Sequence, residues 1–280
     1  MSGTPTLDDL LRQDQLLILP GAFDALSARI AAKAGARALY MSGFGVVGAS
    51  FGVPDIGLIG PEAMTERVRA IAGAIAPLPL VADGDNGHGG PANVVRLVRA
   101  YEQAGAAAIQ LQDQVSPKRC GHMEGKEIVS LEEAVSKLRA AREARSTRAF
   151  KIVARTDARA VDSLDDALRR GAAFLEAGAD VLFIEAPQSE DELRRIAEAF
   201  AGVPLVANLV EDGKTPWPSP AALREMGFKI ALYPITALLA ATRRLEQVYA
   251  TVLAGNAQDI TERMRFAEFN HFVGLKAGGT

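Results

Sequence analysis

The chain has 280 residues, of which 49% are apolar and 23% charged, a composition typical of a globular protein with a large core. Its 31 Lys and Arg against 34 Asp and Glu give a net charge of -3 without a long basic run, so nucleic acid and anionic membranes are not expected partners. Residues 1–15 lack an apolar core of signal-peptide length, and no run of about eighteen apolar residues occurs. The single cysteine, Cys120, excludes an intramolecular disulfide, so we expect a cytoplasmic enzyme that acts on small molecules.

In chain order, eight apolar runs alternate with eight helical patterns, and most runs are uninterrupted, as in parallel strands covered on both faces. The strands are predicted near residues 16–20, 38–42, 78–83, 107–112, 150–156, 181–185, 204–208 and 230–234. The helices are predicted over residues 24–34, 61–75, 91–104, 131–145, 164–177, 189–200, 219–226 and 237–253. This order predicts an α/β fold, a (β/α)8 TIM-type barrel. A doubly wound open sheet is the alternative, but no Gly-x-Gly-x-x-Gly turn follows the first strand.

Short signals mark the ends of these elements. Four glycines follow predicted helices and precede apolar runs, where a left-handed residue ends a helix: Gly35, Gly105, Gly178 and Gly227. Ser130 with Glu133, and Ser189 with Glu192, are typical of capping boxes. First helical positions are predicted at Pro61, Pro91 and Pro220.

We expect a single domain over residues 1–280, with residues 1–15 as a short amphipathic lead-in and residues 255–280 as a helical extension. Met264, Phe266, Phe269 and Phe272 predict an extra helix in this extension, with an apolar face that packs on the barrel or on another subunit.

Polar residues gather where the predicted strands end, and the carboxyl ends of barrel strands are the ends that carry function. These residues are Tyr40 and Ser42, Asp83 and Asp85, Gln112 and Asp113, Arg155 and Asp157, Glu185, and Asn208. Two carboxylates at the mouth of a buried strand need a positive partner, and Mg²⁺ prefers such oxygen ligands. The stretch Val81–Pro91 therefore predicts a metal site, with a solvated acidic turn as the alternative.

The longest connection without a clear pattern runs over residues 114–129, longer than most barrel loops and typical of a lid or binding loop. It contains Cys120, flanked by Lys118, Arg119 and His122, with Gly121 and Gly125 nearby. Cations around a cysteine favour a reactive thiol, and the alternative is an inert buried side chain.

Several short motifs accompany Lys118-Arg-Cys-Gly-His122 and the upstream Asp83-Gly-Asp85. They are Tyr40-Met-Ser-Gly, Ala154-Arg-Thr-Asp, Phe183-Ile-Glu-Ala, Ala207-Asn and Gly213-Lys-Thr-Pro. With these motifs, the region from roughly Leu16 to Leu253 resembles the isocitrate lyase/phosphoenolpyruvate mutase superfamily. Within it, the chain is most similar to the small lyases, the 2-methylisocitrate lyase and dimethylmalate lyase/petal death protein groups. The phosphoryl mutases of this superfamily carry Asn-Ser-type residues where Cys120 stands.

The resemblance implies a Mg²⁺ site, with Mn²⁺ as a substitute ion. Asp83 binds the ion directly, and Asp55, Asp85 and Gln112 hold its waters. Ser42, Gly43 and Phe44 hold the carboxylate of an α-keto acid. The further substrate-binding positions that the resemblance implies are Arg155, Asn208, Lys118, Arg119, Gly121 and His122.

For the chemistry, the resemblance implies Cys120 as the general acid, with His122, Glu185 and Arg155 around it. Tyr40 is our candidate for activating the substrate hydroxyl, and a structural role is its alternative. The family also implies that the last barrel helix is exchanged between subunits of a homotetramer.

These residues predict a Mg²⁺-dependent carbon–carbon lyase. Its substrate is a 2-hydroxy di- or tricarboxylate, of the 2-alkylmalate or 2-methylisocitrate type, which retro-aldol chemistry splits into an α-keto acid and a carboxylate. The alternatives are oxaloacetate hydrolysis or decarboxylation, a phosphonate P–C mutase or hydrolase reaction, and a barrel that binds a dicarboxylate without turnover. Cys120 argues against P–C chemistry, because that reaction has no carbanion that needs a thiol acid.

One departure from the family concerns the metal. The family usually has Glu where this chain has Gln112, so we expect weaker Mg²⁺ binding than in its relatives. Asn86 and His88 are smaller departures near the same turn. The pocket beyond the metal is predicted to involve Trp217, Tyr233, Pro234 and Leu238.

Overall fold

The computed structural model describes residues 4–119 and 125–275. The chain divides into two compact units, Met1–Ala237 and Leu238–Thr280. Across the described part of the chain, no helix combines the length and the apolar character needed to cross a membrane. The single domain over residues 1–280 stays a prediction.

Eight parallel strands form the centre of the first unit. They are β1 (Leu17–Ala22), β2 (Leu39–Met41), β3 (Leu80–Asp83), β4 (Ala108–Gln112), β5 (Lys151–Thr156), β6 (Val181–Ile184), β7 (Val206–Asn208) and β8 (Ile230–Tyr233). Their order is β6-β5-β4-β3-β2-β1-β8-β7. An isolated parallel bridge joins Leu182 of β6 to Leu205, directly before β7, so the two ends of the sheet meet. The predicted (β/α)8 TIM-type barrel is confirmed.

Helices connect the strands of the barrel. They are α1 (Leu7–Arg12), α2 (Ala25–Lys33), α3 (Gly43–Phe51), α4 (Pro61–Ile75), α5 (Pro91–Gln103), α6 (Leu131–Ala144), α7 (Ala158–Val161), α8 (Leu164–Ala177), α9 (Glu190–Ala199) and α10 (Pro220–Met226). Next come α11 (Thr236–Leu253), a short 3₁₀ helix (Ala257–Asp259) and α12 (Phe266–Phe272). The extra helix predicted near the C-terminus is confirmed as α12.

Most predicted element ends are confirmed. The four helix-ending glycines have positive φ, between 97° at Gly105 and 106° at Gly227. Pro61, Pro91 and Pro220 each begin a helix. The serine half of both capping boxes forms, because Ser130 and Ser189 each accept the N–H three residues on at 3.1 Å. In α9 the acidic half differs, since Glu192 accepts the N–H of Gln188 at 2.8 Å instead.

Three α-helices, α1, α3 and α7, were not predicted, although α1 lies in the predicted amphipathic lead-in. Three of the nine residues of α3 are glycines, which disfavour a helix when they are considered locally. Tertiary contacts override this preference. Val46 and Val47 are buried, and the Ser42 hydroxyl caps the helix by accepting the N–H of Gly45 at 3.1 Å. The N-terminus of α3 therefore lies directly after β2, at the carboxyl end of the barrel.

Two apolar layers hold the barrel. The outer layer packs the strands against the surrounding helices, and the inner layer fills the barrel with side chains such as Leu19, Val153 and Phe183. The leucines of α1 belong to the inner layer. Lys151, the first residue of β5, pairs with Asp8 of α1 at 2.8 Å. The lead-in therefore closes the amino end of the barrel and leaves the carboxyl end for the site.

Candidate active site

A cavity lies at the carboxyl ends of the strands. It is lined by Tyr40, Ser42, Phe44, Asp55, Asp83, Gln112, Lys118, Arg119, Arg155, Phe183, Asn208, Val210, Leu232, Pro234 and Ile235. Six of the ten residues predicted from strand ends line this cavity, because parallel barrel strands all end on the same side. Asp85, Asp113, Asp157 and Glu185 are not in its lining.

Three aspartates and one lysine form a buried charged cluster beside this cavity. Asp83 ends β3, Asp85 follows in the next turn, and Asp55 comes from the connection between α3 and α4. The ammonium of Lys118 pairs with Asp55 and, at 2.8 Å, with Oδ1 of Asp85. The four residues are between 4% and 8% exposed. Water is thus largely excluded from a cluster of three carboxylates, two of which pair with one ammonium.

The turn after β3 determines where the carboxylates of Asp83 and Asp85 lie. Asp85 and His88 adopt left-handed backbone angles, with φ of 49° and 53°, which are uncommon for residues other than glycine. Side-chain acceptors hold both. Oδ1 of Asp83 accepts the N–H of Asp85 at 3.1 Å, and the Asn86 carbonyl accepts the N–H of His88 at 3.2 Å. A strained turn held in this way is typical of functional sites.

Asp83 lines the cavity together with Asp55. Its Oδ2 accepts the N–H of Gly43 at 3.3 Å, and its Oδ1 accepts the side-chain N–H of Gln110 at 3.2 Å. Burial, and then the charge of Asp85, raise the pKa of Asp83 to about 7. A raised pKa means that the buried negative charge lacks a full counter-charge, which a cation would supply.

The oxygens of this cluster fit a hard divalent ion. Oδ1 of Asp85 is buried and has no hydrogen-bond partner, its contact with Lys118 being an ion pair without hydrogen-bond geometry. Within residues 4–119 and 125–275, no three His, Cys, Asp or Glu side chains form a direct chelating set. This fits Mg²⁺, which takes one or two carboxylates directly and keeps several of its waters.

Sequence reasoning missed Gln110, which links Tyr40 to Asp83. Its carbonyl accepts the Tyr40 hydroxyl at 2.9 Å, and its amide N–H donates to Asp83. Burial, and then the charge of Asp83, raise the pKa of Tyr40 well above its usual value. A phenol in this state keeps its proton and does not act as a base. The period of two in β4, which puts Gln110 and Gln112 on the same face, could have identified it.

Arg155 lies on the other side of the cavity and is held by two carboxylates. Its guanidinium donates to both oxygens of Asp157, at 2.9 and 3.0 Å, and lies 3.4 Å from Glu185. Lys126, which was not predicted, donates to Asp157 at 2.7 Å. The amide of Asn208 donates to Glu185 at 3.2 Å. This network fixes the position of the Arg155 guanidinium in the lining of the cavity.

Asp113 ends the same strand as Gln112 but has a different environment. It accepts the Thr156 hydroxyl at 2.6 Å and the N–H of Asp157 at 2.9 Å, and Arg170 of α8 lies 3.2 Å away. Burial, and then the charge of Asp157, raise the pKa of Asp113 to about 6. Its contacts tie β4 to the end of β5, which indicates a structural role.

The structure describes most of the predicted site residues, but not all of them. Cys120, Gly121 and His122 lie outside the described residues. Of the four residues predicted to extend the pocket, Pro234 lines the cavity, whereas Trp217 and Tyr233 are not in its lining. Their rings contact each other instead, with centroids 5.7 Å apart. Val210, Leu232 and Ile235 contribute the apolar wall that the sequence did not identify.

Comparison with known proteins matches this chain to one family. The profile of the family described as Phosphoenolpyruvate phosphomutase matches residues 7–253. Among curated relatives, 2,3-dimethylmalate lyase of Eubacterium barkeri is 42% identical, over 99% of this chain and 96% of its own length. 2-Methylisocitrate lyase of Bacillus subtilis (strain 168) is 41% identical, over 89% of this chain and 81% of its own length.

Solved structures give the same grouping. Oxaloacetate acetylhydrolase in complex with 3,3-difluorooxalacetate is similar with a TM-score of 0.92 and 32% identity, over 98% of this chain and 94% of that chain. Phosphonopyruvate hydrolase in complex with oxalate and Mg²⁺ has a TM-score of 0.86 and 32% identity, over 98% and 95% of the two chains.

Proposed function

The chain belongs to the phosphoenolpyruvate mutase/isocitrate lyase superfamily, and we propose that it is a Mg²⁺-dependent carbon–carbon lyase. Its proposed substrate is a 2-hydroxy di- or tricarboxylate of the 2-alkylmalate or 2-methylisocitrate type. The products are an α-keto acid and a second carboxylate. One observation carries the proposal: a single buried cavity brings Asp83, with its uncompensated charge, together with Arg155. Relatives that are similar over most of this chain are named as lyases of such acids.

The acidic cluster would hold the metal. Asp83 is the proposed direct ligand, and Asp55, Asp85 and Gln112 are the proposed partners of its waters. Mg²⁺, or Mn²⁺ in its place, would supply Lewis-acid stabilisation of the negative charge that develops on the substrate oxygen. The fit rests on the buried oxygens of the cluster and on the raised pKa of Asp83.

The substrate carboxylates would be bound by the donors around the cavity. Arg155, held in place by Asp157 and Glu185, offers a fixed guanidinium. Ser42 and the backbone N–H groups at the start of α3, at Gly43 and Phe44, offer donors near a helix N-terminus, where anions are favoured. Asn208, Lys118, Arg119, Gly121 and His122 complete the proposed binding set.

In the proposed reaction the C2–C3 bond breaks. The hydroxyl at C2 gives its proton to a base in the site and becomes the carbonyl of the α-keto acid, while the electron pair of the broken bond goes to C3. The Cys120 thiol then gives its proton to C3, with His122 and Glu185 around it. A thiol with an ordinary pKa is mostly protonated at neutral pH, and such acid catalysis contributes about 10² to 10⁴ in rate.

Tyr40 enters this proposal in a changed role. It was the candidate for activating the substrate hydroxyl, but its own O–H donates to Gln110 and burial holds its pKa high. We therefore assign it to accept a hydrogen bond from the substrate as a neutral phenol.

Oxaloacetate hydrolysis is the second candidate, and the likeness to oxaloacetate acetylhydrolase favours it. Product analysis separates the two. The protein is incubated with 2,3-dimethylmalate, 2-methylisocitrate and oxaloacetate, with Mg²⁺ and with EDTA. If the proposal is correct, 2,3-dimethylmalate or 2-methylisocitrate gives an α-keto acid with Mg²⁺, and EDTA abolishes its formation. Oxalate and acetate from oxaloacetate alone would support the second candidate instead.

We also propose, from the family resemblance, that the protein is a homotetramer whose last barrel helix, α11, is exchanged between subunits. Its partners would be the hydroxy or keto acid and other copies of the same chain.

A further inference from the structure

Lys118 is the buried cation of the acidic cluster. Its side chain is 4% exposed, and its ammonium pairs with Asp55 and with Asp85 at 2.8 Å. Two carboxylates within ion-pair distance of this ammonium favour its charged form.

The charges in the cluster do not balance. With Asp55, Asp83 and Asp85 ionised, three negative charges surround one ammonium, and Gln112 beside them carries none. Two negative charges are left over, which is the charge that one divalent ion neutralises. The three aspartates also differ in their partners. Lys118 pairs with Asp55 and Asp85, whereas the described partners of the Asp83 carboxylate are N–H groups.

We propose that Lys118 is a built-in competitor of the metal, an internal cation that holds Asp55 and Asp85 and lowers the affinity of the cluster for a divalent ion. The inference rests on the metal site of the proposed function. Two like charges repel strongly in a poorly hydrated site, so every divalent ion that binds must work against the ammonium. The ion's waters must also share the oxygens that Lys118 already holds.

A purely structural ion pair predicts a different result. If Lys118 only kept the two aspartates in position, its loss would loosen the cluster and weaken metal binding. If it competes with the metal, its loss removes the repulsion and binding becomes tighter. The direction of the change in affinity therefore separates the two roles.

The test is a titration of the purified, metal-free protein with Mn²⁺, followed by the EPR signal of the free ion. Lys118→Met keeps the length of the side chain and removes its charge. We expect it to bind Mn²⁺ at least about tenfold more tightly than the wild type, because the repulsion is lost in a poorly hydrated site. Lys118→Arg keeps the charge and should bind like the wild type. Lys137→Met is the matched control, since this equally buried lysine pairs with Glu133 outside the cluster.

Unchanged or weaker Mn²⁺ binding by Lys118→Met would overturn the inference. If the variant is poorly folded without metal, its melting temperature gives a second readout, because Mn²⁺ should raise it more than it raises that of the wild type. Asp83→Asn separates this inference from the metal site itself. If the wild type binds Mn²⁺ no better than Asp83→Asn, both fail. If the wild type binds Mn²⁺ better than Asp83→Asn does, but Lys118→Met binds it only as tightly as the wild type, the metal site stands and the proposed competition by Lys118 is refuted.

Discussion

At the scale of single residues, Gln112 has the clearest consequence for the metal. It lies in the cavity lining with Asp55 and Asp83, and its amide carries no charge. Gln112→Glu adds a negative charge beside the cluster, so we expect it to tighten Mg²⁺ binding in a calorimetric titration. Gln103→Glu, at an exposed position at the end of α5, adds the same charge outside the site and should have no effect. Equal affinity of wild type and Gln112→Glu would refute the role given to this residue.

The thiol and the metal ligand should fail in different ways when they are replaced. Cys120→Ser removes the acid but leaves the binding groups, so we expect turnover to fall by about 10² to 10⁴ with near-normal binding of the keto acid product. Asp83→Ala should abolish both turnover and metal binding, because it removes the proposed direct ligand. Steady-state kinetics and a binding titration measure the two effects. Similar, mild losses of turnover in both variants would argue against these roles.

The residues predicted from the sequence share one property: they are polar and end an apolar strand. Asp83 and Arg155 were therefore predictable from their position alone. Gln110 was missed because it lies inside a strand, where only the period of two in β4 indicates its face, and its partners, Tyr40 and Asp83, come from two other strands. Lys126 was missed for a similar reason, since nothing in a loop of mixed composition connects it to Asp157.

At the scale of elements, the start of α3 is the most constrained part of the site. A Cβ at Gly43 would lie 2.7 Å from Oδ2 of Asp83, closer than side chains pack. Gly48, in the same helix, has nothing within 4 Å of that position. We expect Gly43→Ala to displace Asp83 and weaken Mn²⁺ binding.

The matched variant Gly48→Ala should bind Mn²⁺ like the wild type and should be at least as stable, because Ala favours a helix over Gly by about 1 kcal/mol. Circular dichroism during heating checks the stability of both variants. Equal Mn²⁺ affinity of the two variants would contradict the close approach of α3 to Asp83.

The long elements were predictable because several signals agree along them. In α8, Ser163 caps the start and Gly178 ends the helix with φ of 104°. In α3 the signals disagree. Its glycines disfavour a helix locally, whereas its valines are buried only when the helix forms.

At the scale of the whole molecule, the second unit bears on assembly. Of its side chains, Leu245, Tyr249, Leu253 and Phe266 are each more than half exposed, up to 87% at Leu253. Apolar surface of this kind favours association. We expect light scattering to give four times the chain mass of 29.6 kDa, and Leu253→Asp to lower it. A wild-type mass of one chain would contradict the tetramer.

The most direct test of the whole account is a crystal structure of the protein with Mg²⁺ and pyruvate. The account predicts a carboxylate oxygen of Asp83 at roughly 2.1 Å from the ion, the usual Mg–O distance, with pyruvate between the ion and Arg155. An ion bound elsewhere, with Asp83 remote from it and from pyruvate, would contradict the proposed lyase while leaving the barrel unaffected.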